Sequence, residues 1–106
     1  MEPAYGGEAA KAHNHAEAER IAKEGLAALG LPNVAADLRG RGKWIREKAV
    51  IAAVIQKRTG VGNLWIARRL EMGHEGSVTL AVRWVREDRE GGKREKSLER
   101  MLNYRD

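Results

Sequence analysis

The chain has 106 residues, is 42% hydrophobic and 33% charged, and carries a formal net charge of +5 without a single cysteine. That length suits one domain, and the missing thiols exclude disulfides, thiolate metal sites and a cysteine nucleophile. Sixteen alanines and no phenylalanine favour helices packed through small side chains over a sandwich or barrel, and no apolar run approaches the roughly 18 residues of a membrane span.

Residues 1–13 are rich in Gly and Ala without periodicity and read as a flexible lead-in. Asn14 is placed to cap a helix, with Glu17 in the capping-box position, and Ile21, Ala22, Gly25, Leu26 and Leu29 form one stripe before the stop at Gly30. Asn33 can open a short helix to about Leu38, and Arg39-Gly-Arg-Gly-Lys43 follows as a basic loop whose glycines let a ligand approach the backbone. Trp44 to Arg58 is the expected core helix; its stretch from Ala49 to Ile55 is apolar all round, which calls for burial on several sides. Asn63 can cap a helix to about Glu71 with Ile66, Ala67 and Leu70 inward. A turn from Leu70 to Ser77 precedes a helix opening at Gly76 or Ser77, with Val78, Ala81, Val82 and Val85 on one face. Gly91-Gly92 reads as a hinge, and residues 94–103 as a last amphipathic helix bearing Leu98, Met101 and Leu102. The expectation is a compact all-α domain of about five helices, with the lead-in at 1–13, a helical unit at 14–90 and a C-terminal helix or tail at 91–106.

The charge is distributed unevenly. Residues 1–36 hold three Lys/Arg against five Glu, residues 87–106 balance six against six, and residues 37–86 hold eleven Lys/Arg against four acids. A polyanion is the natural partner of such a segment, because each neutralised phosphate releases condensed counterions. The pair of helices around the 70–77 turn has the pattern of a helix-turn-helix, in which the first helix braces the second so that the second enters the major groove. The outward residues of the second helix would then be Gly76, Leu80, Arg83 and Glu87, flanked by Ser77, Thr79 and Trp84. Gly76 permits close approach to phosphate, Ser77 and Thr79 can donate to phosphates or base edges, Leu80 can touch a thymine methyl, and Arg83 can grip a guanine or a phosphate. Arg39, Arg41, Lys43, Arg46 and Lys48 would hold the backbone from the loop and the start of the core helix.

Three segments carry a family resemblance: Ala18–Gly30, Lys48–Thr59, and Trp65-Ile-Ala-Arg-Arg-Leu-Glu-Met-Gly73 followed by Ser77-Val78. With the lead-in Tyr5-Gly6-Gly7-Glu8, they resemble the C-terminal region of REP-associated tyrosine transposases, bacterial proteins of the HUH class. The same stretch is similar, more distantly, to the DNA-binding domain of the replication initiator DnaA, whose Asp-His-Thr-Thr-Val motif is matched here only at Ser77, Val78 and the later Ala81. The resemblance implies a DnaA-like or Trp-repressor-like helix-turn-helix fold and a bacterial, cytoplasmic, nucleoid-associated protein linked to DNA recombination. It also implies double-stranded DNA as partner, including hairpin or repeat elements.

The catalytic half of that family has no counterpart in this chain. Its metal is held by a His-hydrophobe-His motif on a strand, whereas His13-Asn14-His15 has a polar centre at a helix entry. Tyr104 has no neighbouring constellation to activate it. No enzyme, metal site or cofactor is therefore expected. The alternatives are a helical protein-interaction or dimerisation module, with Leu98, Met101 and Leu102 pairing two copies, or a stand-alone transcription regulator.

Overall fold

The computed structural model describes residues 8–104, with side chains from His13 onward. Six helices follow one another: α1 (Glu8–Ala28), α2 (Ala35–Arg39), α3 (Arg46–Arg58), α4 (Asn63–Arg69), α5 (Glu75–Glu87) and α6 (Arg89–Met101). No strand occurs among the described residues, so the all-α expectation holds.

The core is organised around α3. Lys48 to Ile55 are eight successive buried residues, possible only because α1, α5 and α6 all pack on this helix. Small residues set the spacing: a Cβ at Gly25 would lie 3.2 Å from Ile51 Cγ1, so the bare glycine lets α1 settle against α3. Val78, Ala81, Val82 and Val85 are buried along α5, as their period requires, and Ile66, Ala67 and Leu70 are buried from the α4 side.

Helix ends depart from expectation in instructive ways. The first helix begins at Glu8 rather than after Asn14, because Ala9, Ala10 and Ala12 supply helix propensity that outweighs the capping signal. The part of the lead-in before residue 8 lies outside the described residues. Asn14 sits inside α1 beside Gly60. Asn33 and Asn63 cap nothing; α2 and α4 follow Val34 and Gly62 without a side-chain cap. The Asn33 carboxamide oxygen instead accepts from Arg69 Nη2 at 2.6 Å. Asn63 accepts from Gln56 Nε2 at 3.0 Å and donates to Thr79 Oγ1 at 3.3 Å.

The expected hinge at Gly91-Gly92 is the first turn of α6, capped by Asp88, whose Oδ2 accepts from Gly91 N at 2.9 Å. Gly91 is buried, and a Cβ there would sit 2.8 Å from Val85 Cα. The glycines permit a tight α5–α6 crossing instead of a flexible joint. As α6 folds back, Leu98 and Leu102 enter the core at 1% and 3% exposure, and only Met101 of the proposed dimer trio remains outside. No helix among the described residues is long and apolar enough to cross a membrane.

Candidate nucleic-acid interface

The helix pair predicted to read DNA is α4 and α5, joined by Leu70–His74. The turn is shorter than the expected 70–77, because α5 already begins at Glu75. Leu70 and Met72 plug it into the core, and Met72 N donates back to the Ala67 carbonyl at 2.9 Å. Glu71 at φ 55° and Gly73 at φ 94° turn the chain through the left-handed region. His74 then caps α5: its Nδ1 accepts from Gly76 N at 3.1 Å. The imidazole lies over Gly76 so closely that a Cβ there would meet His74 Cε1 at 2.8 Å.

The outward face of α5 carries Thr79, Leu80 and Arg83 in solvent, with Gly76 and Ser77 half-buried at its start. Leu80 is 57% exposed, although its neighbours in the inner stripe are fully packed. Thr79 is less available than a free hydroxyl, since Oγ1 donates to the Glu75 carbonyl at 3.4 Å and accepts from Asn63.

The basic loop lies against the same two helices. Trp44 packs edge-to-face on Trp84 of α5, ring centroids 5.7 Å apart at 71°. The Arg46 guanidinium stands 5.8 Å from the Trp84 ring centroid. Lys43 runs its aliphatic stem along Gly73, where a Cβ would lie 3.2 Å from Lys43 Cδ. Arg39 Nε pairs with the Glu71 carboxylate at 3.0 Å. The loop is thus strapped onto the turn and α5 at four points, and Arg41 is exposed on the loop between them.

Lys48 corrects the predicted set. It is fully buried, and its Nζ donates to the Gly42 carbonyl in the loop and to the Glu71 carbonyl in the turn at 3.0 Å. Burial pushes its ammonium pKa down, while the Glu71 charge opposes that shift. The residue expected to clamp phosphate is instead the pin that joins loop to turn. The same accounting removes other cations from the central block. Glu99 is buried and accepts from Lys57 at 3.2 Å and from Arg58 Nε at 2.6 Å. Arg69 forks onto the Glu19 carboxylate at 2.7 and 2.9 Å.

Sequence reading missed Arg68. It is exposed on α4 and, with Arg39, Lys43, Glu71 and Gly73, lines an open cleft of about 380 Å³ between the loop and the turn. Its place was readable from α4's period, since Arg68 falls opposite the Ile66–Ala67 inner face.

Tyr104 lies apart from this surface. Its hydroxyl donates to Glu17, with the Arg58 guanidinium 4.4 Å and that of Arg20 5.3 Å from its ring centroid. Burial and the Glu17 contact hold the phenol above its ordinary pKa, the opposite of what a tyrosine nucleophile needs. No family model, curated protein or solved structure matches the chain.

Proposed function

We propose that this chain is a non-catalytic DNA-binding module that sets α5 in the major groove and holds the backbone with its basic loop. The observation that carries the reading is the strapping of Arg39–Arg46 alongside α5 through Trp44–Trp84, Arg46–Trp84 and Lys43–Gly73. Segments remote in folding role, one a loop and one a helix, are held side by side with their cations outward. Arg41, Lys43, Arg46, Arg68 and Arg83 are exposed here. In this reading Ser77 at the start of α5 and Arg83 two turns on meet phosphates or base edges, whereas Gly76 is covered by the His74 ring to which its N–H donates, and Leu80 is the apolar contact to a thymine methyl. Arg39 contributes partly, because Glu71 shares its charge.

The resemblance to REP-associated transposases suggests the setting: a targeting or accessory domain of a transposase-like protein, in the bacterial cytoplasm at the nucleoid. Binding to a duplex panel across a salt series is the test. Five phosphate contacts would weaken binding by roughly a factor of 500 for each fourfold rise in salt. An affinity indifferent to salt would remove the proposal. Within it, Arg83→Ala should change which sequences bind, and Lys43→Ala should weaken all of them about equally.

A further inference from the structure

The basic strap presents an aromatic ring that the duplex reading does not use. Trp44 is 41% exposed in a protein whose other large apolar groups are mostly core. It is held in place by Trp84: the rings meet edge-to-face at 5.7 Å and 71°. The Arg46 guanidinium stands over Trp84. Trp84 is half-buried whereas Trp44 is exposed, so the accessible ring on the strap is that of Trp44.

Its surroundings select the occupant. Arg41, Lys43 and Arg46 flank it on the chain and are exposed, and the exposed Leu80 lies about one turn before Trp84 on α5. A flat π surface ringed by guanidinium and ammonium groups matches a nucleobase on its phosphate backbone; an apolar peptide would leave those cations without partners. Bases in a duplex are stacked on each other and offer no face, so the base must be unpaired. We propose that Trp44 is a stacking platform for an unpaired DNA base adjoining the duplex that α5 reads, at a strand end, a hairpin loop or a junction.

This rests on the duplex reading for its position, and the experiment separates the two. Binding is measured by anisotropy for a blunt duplex, the same duplex with a short oligothymidine extension, and the oligothymidine alone. The extension should tighten binding about fivefold to a hundredfold, the range of one base–aromatic stack. Trp44→Ala should abolish that gain, read as the ratio of extended-duplex to blunt-duplex affinity within the same variant, and Trp44→Phe should keep most of it. Iodide quenching of the unaltered protein supplies a measurement independent of any variant's folding: the extended duplex should shield an accessible tryptophan that the blunt duplex leaves open. No gain from the extension, a gain that survives Trp44→Ala, or equal shielding by both duplexes would overturn the platform and leave the duplex reading standing. Trp44-dependent binding of oligothymidine with no duplex binding would overturn the duplex reading and keep the platform.

Discussion

The ammonium of Lys48 donates to the carbonyl of Glu71 at 3.0 Å, while the carboxylate of that same Glu71 pairs with Arg39 at 3.0 Å. One residue in a left-handed turn thus joins α3 by its backbone and the basic loop by its side chain. Glu71 tolerates φ 55° because both of its ends are fixed, which offsets the steric cost of that conformation.

Lys48→Met keeps most of the side chain's length and removes the donor. Two inward carbonyls then lose their partner, at about 1–3 kcal/mol for the unmet acceptors, and the loop is released from the turn. Thermal unfolding should fall by at least roughly 4 °C. Affinity for DNA should drop for all duplex sequences alike, since no base contact is touched. A variant that melts like the parent would show that the pin carries no stability.

Adjacent glycines should respond in opposite directions. Gly91→Ala drives a methyl to within 2.8 Å of the Val85 backbone and should cost about 1–3 kcal/mol as the α5–α6 crossing opens. Gly92→Ala meets only the Val85 carbonyl at an ordinary 3.8 Å and should stabilise α6 by roughly 0.5–1 kcal/mol. Denaturant midpoints of the two variants decide the matter.

The His74 cap predicts a graded series. His74→Ala leaves Gly76 N without its acceptor and should destabilise by about 1 kcal/mol. His74→Asn restores a short acceptor and should recover most of it. Chemical unfolding of the three proteins would check this.

Acid stability should depend on Glu17. Hydrogen bonds from Arg20, then from Tyr104, lower its carboxyl pKa from 4.5 to about 2. A carboxylate depressed in the folded state stabilises above its unfolded pKa, and that contribution is lost as pH falls through the folded value. The loss should therefore run from about pH 4.5 down to about pH 2. Glu17→Gln should melt lower at neutral pH and flatten the decline across that window. Parallel slopes for both proteins would sink the assignment.

Much of the architecture was legible in the residues because periodicity reports burial directly. The inner stripe of α5 and the all-round burial of α3 follow from Val78–Val85 and Ala49–Ile55. What escaped were features fixed by tertiary contact. Asn14, Asn33 and Asn63 look like caps, yet two of them serve long-range hydrogen bonds and the third lies inside a helix extended by alanines. Gly91-Gly92 looks like a hinge because sequence cannot distinguish freedom from close approach. Lys48 looks like a surface cation because its two carbonyl partners come from the loop and from a turn 23 positions away. In the candidate interface, Arg83, Leu80 and the loop cations are exposed as expected, whereas the adjacency of Trp44 to Trp84 had no local signal.

The unbroken burial of Lys48–Ile55 also fixes the order in which the molecule can come apart. A helix covered on every side has no face along which solvent can enter while its neighbours stay docked. Its amide protons should exchange with deuterium only when the whole domain opens, whereas those of the five-residue α2 exchange through local fraying. The slowest-exchanging amides would then report global unfolding, with α3 as the last segment to surrender its protons.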